Sequence, residues 1–208
     1  MSPGHGPGHA HEGHRVREEA GRAQDRVPPD GVAGRYFEGP DGDLSWHRVD
    51  DELHTFFNEQ LDRASAFLEG WVSYQLMEAF WPTADQDPDA PPPMAQFAGI
   101  WRDTPKIVYS RTLDEVGPNA ALVRDVVPEE VRALQELPGE EMVLGSPDLA
   151  AAFRRYDLID EYRIFVNPVL VGSGRQVFGP GQAPADLRLA GTRTFSNGVV
   201  MIRHERVR

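Results

Sequence analysis

The apolar positions of this chain fall into short runs and stripes separated by Gly, Pro and acidic residues. Met142-Val143-Leu144 is an apolar run that stops at Gly145-Ser146-Pro147-Asp148. Leu149, Ala152, Phe153 and Tyr156 then recur at spacings of three and four, the stripe of one helical face. After Leu158-Ile159, Tyr162, Ile164 and Val166 alternate with Arg163 and Phe165. The fully apolar Ile164-Phe165-Val166 predicts a strand covered on both faces. Strand, glycine turn, helix and strand make a βαβ unit over residues 143–178.

Upstream, Leu53, Phe56, Phe57, Gln60, Leu61, Ala64 and Phe67 form a second helical stripe. Asp50-Asp51-Glu52 opens it, with charge that suits the positive end of a helix dipole. Asp41-Gly42-Asp43-Leu44 reads as a turn. Short strands are expected at 106–110 and 121–124. A helix is expected over 128–137, with Pro128 in its first turn and Glu129-Glu130 behind it. Residues 83–93, TADQDPDAPPP, read as an acidic, Pro-rich surface loop, excluded from helix and central strand. Asn197-Gly198 between apolar runs is a strong hairpin signal. Together these predict an α/β domain: a mostly parallel sheet closed by an antiparallel C-terminal hairpin.

Residues 1–34 differ in composition. They are rich in Gly, Pro, His and charge and poor in large apolar side chains, which predicts a disordered tail ahead of a domain over 35–208. His5, His9, His11 and His14 invite zinc or nickel. They lack partner ligands at firm spacing, so the tail reading prevails and no metal centre is expected.

With 21 Lys and Arg against 33 Asp and Glu, the formal net charge is −12. That argues against nucleic acid or an anionic membrane as partner. No apolar run approaches membrane-spanning length. The absence of cysteine excludes disulfides and thiolate chemistry and fits a cytoplasmic protein.

The candidate chemistry lies at Gly145-Ser146. Glycine lets a ligand approach the backbone, and the first N–H groups of the following helix point at it; a phosphate is the natural guest. The stretches Gly145-Ser146-Pro147-Asp148-Leu149, Leu158-Ile159-Asp160-Glu161-Tyr162 and Asn167-Pro168-Val169-Leu170-Val171-Gly172-Ser173-Gly174 carry a resemblance. They look like the C-terminal half of the dihydrofolate reductase-like family that includes the RibD C-terminal (bifunctional deaminase-reductase) domain. The likeness extends over about residues 36 to 208.

The resemblance implies a three-layer dihydrofolate reductase-like fold that binds NADPH and reduces a small heterocycle, of pteridine or ribosylamino-pyrimidine type. It implies cofactor contacts from Gly70, Ser73, Ser110, Arg111, Gly145, Ser146 and Leu149. Ser110 with Arg111 would meet the adenosine 2′-phosphate. Trp46 and Phe57 would face the substrate, with Asp51 as the acid, although Asp51 also suits a plain helix start. Two departures stand out. The family's Gly-Arg-x-Thr-Tyr reads Gly70-Trp71-Val72-Ser73-Tyr74 here, with Glu69 beside it, so a phosphate-gripping guanidinium is replaced by a ring. The family's buried first strand has no apolar counterpart upstream of Tyr36. The expectation is therefore an NADPH-dependent reductase, possible as a homodimer through its C-terminal strands, with a non-catalytic scaffold as the alternative.

Overall fold

The computed structural model describes residues 15–23, 36–179 and 184–208. An eight-stranded sheet runs in the order β5-β4-β3-β6-β1-β7-β10-β9. Its strands are β1 (Val16–Ala23), β3 (Ala66–Gly70), β4 (Lys106–Tyr109), β5 (Ala120–Val123), β6 (Met142–Leu144), β7 (Glu161–Asn167), β9 (Leu187–Thr194) and β10 (Val200–Arg206). From β5 to β7 every neighbouring pair is parallel. β10 joins antiparallel to both β7 and β9. The expected hairpin is present: Phe195 N–H donates to the Val199 carbonyl at 2.8 Å, and Gly198 takes φ of +87°.

β1 corrects two expectations. A first strand exists, and part of the stretch assigned to a tail forms it. It lies between β6 and β7, with Val16 opposite Met142 and Arg17 opposite Glu161. The sequence of β1, VREEAGRA, carries no apolar alternation, so backbone pairing on both sides, not side-chain pattern, makes it a strand. Val16 is fully buried, and so is Arg17, whose Nη1 meets Glu141 Oε2 at 2.6 Å. Glu141 also reaches Arg163 Nη2 at 3.5 Å. The four candidate tail histidines and residues 24–34 lie outside the described residues.

Helices cover both faces. The alternation of β3 sends Phe67 to one side and Leu68 to the other. On the first side, α1 (Asp51–Leu61), α2 (Trp71–Phe80) and α3 (Pro92–Asp103) bring Phe56, Tyr74, Phe97, Ile100 and Trp101 against Phe67, Val108, Val143 and Phe165. On the other, α4 (Pro128–Gln135) and α5 (Pro147–Arg155) bring Val131, Leu149 and Phe153 against Leu68, Leu144 and Tyr162.

Asp50 caps α1, its carboxylate accepting from Leu53 N–H at 2.9 Å. α1 ends at Leu61, so Phe67, which is in phase with its apolar stripe, belongs instead to β3; pairing with β4 and β6 overrides the helical period. α3 has no counterpart among the elements the sequence pattern predicts. Its first residues, Pro92 and Pro93, end the stretch whose composition predicts a loop, yet proline fits the first helical turn, where its missing N–H has no partner to lose. Within 83–93, residues up to Gln86 form a 3₁₀ turn with Trp81 and Pro82. No helix among the described residues is long and apolar enough to cross a membrane.

A two-stranded ribbon pairs β2 (Tyr36–Glu38) with β8 (Arg175–Gln176). Gly174 closes it at φ of +147°, and a Cβ there would stand 2.0 Å from the Glu38 carbonyl oxygen. Gly174→Ala therefore forces the ribbon apart. We expect a loss of at least about 2 kcal/mol from strain and overlap. In hydrogen exchange, protection should vanish first at residues 36–38 and 175–176. Unchanged protection there would contradict this reading.

Candidate functional site

β3 and β6 are parallel neighbours, with Leu68 opposite Leu144, so the turns that leave them stand side by side. Each leads straight into a helix, α2 after Gly70 and α5 after Ser146. The turns are bonded together: Gly70 N–H donates to Ser146 Oγ at 2.8 Å, and the Ser146 hydroxyl donates to Glu69 Oε2 at 3.2 Å. The approach at position 70 is close: a Cβ there would stand 3.3 Å from Ser146 Oγ, so the serine would have to give by a few tenths of an ångström. Leu149 packs in the core. At the start of α5, Pro147 has no N–H to offer. Asp148 places a carboxylate in the first turn, held by Arg175 Nη1 at 2.8 and 2.9 Å.

Beside this junction opens a cleft of about 240 Å³. Leu53, Phe57, Phe67, Phe97, Trp101 and Phe165 wall it, with Phe57 and Phe165 edge to face at 4.7 Å. The buried Glu69 and the exposed Gly145 line it next to the junction. His47, Arg48 and Val49 also line it, and Arg48 N–H donates to Asn167 Oδ1 at 2.9 Å. This surface would hold a flat, largely apolar ring.

Glu69 is the unusual group. It is 6% exposed, and burial pushes its carboxyl up to about 7, against the hydrogen bond from Ser146 and the charge of Lys106, which favour ionisation. Lys106 is also buried and its ammonium is shifted down by desolvation. It donates to the Trp101 carbonyl and lies 4.8 Å from that ring's centroid. Sequence reasoning saw Glu69 only as adverse to phosphate. Its place within the otherwise apolar Ala66-Phe67-Leu68 run was the available signal that it would be buried.

Phe57, Gly145 and Ser146, among the residues expected from sequence, meet Gly70 at this cleft or its bonded junction. Trp46 does not line it. The indole donates to the Asp43 carbonyl at 3.0 Å and rests edge-on against His47 at 4.1 Å, bracing the turn before α1. Asp51 is exposed on the first turn of α1, outside the cleft.

Across α2's first turn lies a second hollow, of about 290 Å³, lined by Trp71, Tyr109, Ser110, Arg111, Arg124 and Asp125 among others. Trp71 is 46% exposed there. Ser110 Oγ accepts from Thr112 N–H at 3.2 Å and Leu113 N–H at 3.0 Å, so its hydroxyl shapes the turn. Arg111 forks onto Asp125 Oδ1, with Nε at 2.7 Å. Ser73 is half-buried on α2 and lines neither hollow.

Comparison with known proteins agrees with this architecture. Residues 36–201 match the RibD C-terminal domain family. The chain is 31% identical over 171 residues to the uncharacterized protein YyaP of Bacillus subtilis (strain 168), covering 80% of this chain and 86% of that one. A protein ascribed to riboflavin biosynthesis in Shewanella sp. PV-4 superposes with a TM-score of 0.69 at 18% identity, covering 93% of this chain and 99% of the other. Dihydrofolate reductase from Enterococcus faecalis, complexed with NADP(H), does so with a TM-score of 0.56 at 13% identity, covering 93% and 97%. The fold is dihydrofolate reductase-like, as the sequence motifs imply.

Proposed function

The chain belongs to the RibD C-terminal domain family, and from that premise we propose that it is an NADPH-dependent reductase of a small heterocycle, a pteridine or a ribosylamino-pyrimidine. The observation that carries this reading is the bonded junction of Gly70 with Ser146 opening directly onto an aromatic-walled cleft. The N-termini of α2 and α5 meet there, and their dipoles favour a diphosphate, although Pro147 offers no N–H and Asp148 puts a carboxylate in the first turn of α5.

The residues present fit the cofactor. Gly70, Gly145 and Ser146 would hold its diphosphate, and Ser110 with Arg111 its 2′-phosphate. NADPH when bound supplies a hydride. The protein's own part is to orient and to exclude water. Phe57 and Phe165 offer faces and edges to a flat ring, and the apolar walls keep the cleft dry. Glu69, not Asp51, is the carboxyl positioned to keep a proton inside it near neutral pH.

A non-catalytic scaffold is the second reading, favoured by one feature. Trp71 stands where the resemblance expects an arginine, and Asp125 and Asp148 already engage Arg111 and Arg175. A fluorescence titration with NADPH separates the two. The reductase reading expects saturable binding, tightened about tenfold or more in Trp71→Arg, as a charge-assisted hydrogen bond gives. No change in either protein up to millimolar cofactor would support the scaffold.

A further inference from the structure

We propose that Glu69 takes up the proton that lets an anionic ligand settle against the Gly145–Ser146 bend, so that loading the cleft and protonating this carboxyl are one linked event. This rests on the reductase reading, since the ligand concerned is an anionic dinucleotide.

The two oxygens of the carboxyl address the two residues of the bend. Oε2 accepts the Ser146 hydroxyl at 3.2 Å, and Oε1 lies 3.9 Å from where a Cβ on Gly145 would stand. A ligand that exploits the bare backbone of Gly145 therefore comes up against Oε1. As a carboxylate, Glu69 can only accept hydrogen bonds and repels a phosphate; as a neutral acid it has an O–H to donate. The proton comes from solvent, and no other bond is made or broken.

The surroundings do not neutralise the charge in another way. On β4, Lys106 is the nearby cation, but its ammonium is committed to the Trp101 carbonyl, with Glu78 of α2 and Asp103 of α3 also acting on it. β6 contributes no titratable side chain. His47 and Arg48 also line the cleft. At the start of α5, Asp148 is held by Arg175. Among the described residues none of these cations forms an ion pair with Glu69. Burial accordingly holds the carboxyl up to about 7, in the range where binding could shift it.

The test is NADPH binding by the intact protein and by Glu69→Gln between pH 6 and pH 8.5. With one linked proton, wild-type affinity should fall about tenfold from pH 6 to pH 8. The ligand's own phosphate, which titrates at about 6, acts with the opposite sign and is shared by both proteins. Glu69→Gln should bind more tightly than wild type at pH 8 and lose the decline. Calorimetry on the wild type in two buffers of different ionisation enthalpy needs no variant, and should show uptake approaching one proton per NADPH at pH 8. Measurable binding with parallel pH profiles and no proton uptake overturns this inference and leaves the reductase reading standing. No saturable binding by either protein at any pH removes both.

Discussion

Replacing Glu69 with glutamine should raise the melting temperature at pH 8.5 by roughly 6–12 °C and change it little at pH 4. The sign follows from proton binding. Burial raises the folded carboxyl from 4.5 to about 7, so in that window the folded state keeps a proton that the unfolded chain releases. Stability then falls as pH rises. Below 4.5 both states are protonated and nothing is lost. Each pH unit within the window removes about 1.4 kcal/mol, and above 7 the loss levels off at about 3 kcal/mol, worth 2–4 °C each in a domain of this size. Glutamine keeps an oxygen for the Ser146 hydroxyl and carries no charge. Thermal unfolding of both proteins at pH 4, 5.5, 7 and 8.5 checks it; profiles that run parallel would show that Glu69 is not the group responsible.

The second large effect is expected at Glu141. One carboxylate oxygen serves two guanidiniums, Arg17 at 2.6 Å and Arg163 at 3.5 Å, whose side chains are 2% and 7% exposed. Arg163 also bonds Glu161 at 2.5 Å and Gln60 at 2.8 Å. Glu141→Ala takes a counter-charge from buried cations that cannot easily return to water, at a cost of about 3–5 kcal/mol. Glu141→Gln should lose less, because it keeps an acceptor. Joint replacement of Arg17 and Glu141 by Met and Leu should recover much of the loss, since the charges leave together. Urea unfolding measures all three. A loss below about 1 kcal/mol in Glu141→Ala would class the network with exposed pairs, which contribute little.

What was legible in the sequence is what short-range chemistry decides. The βαβ unit around Gly145-Ser146 announces itself by an apolar run, a glycine bend and a helical stripe. The Asn197-Gly198 turn does so by its backbone preference, and α1 by its acidic start. The misses share a cause: the deciding partner lies far along the chain. β1 is a strand because β6 and β7 flank it, and nothing in VREEAGRA says so. Phe67 keeps helical phase with Phe56 yet pairs with β4. Prolines 92 and 93 look like helix breakers until their place in the first turn of α3 is known. At the site, the motifs point to Gly70 and to Gly145-Ser146 separately, whereas their bonded junction and the burial of Glu69 depend on strand pairing and on the walls around them. Trp46 and Asp51 follow only from analogy of spacing: the indole turns back onto Asp43 and His47, and Asp51 is exposed on the first turn of α1, so neither lines the cleft.

The placing of β1 has a mechanical side. Its two neighbours run in its own direction, so tension along the strand loads both ladders in shear and all their bonds resist together, with no edge from which to peel. Withdrawn, it would leave a four-strand leaf, β5-β4-β3-β6, and a three-strand leaf, β7-β10-β9, tethered through α5. The molecule is clamped at its middle by a strand in which four of the eight residues are charged.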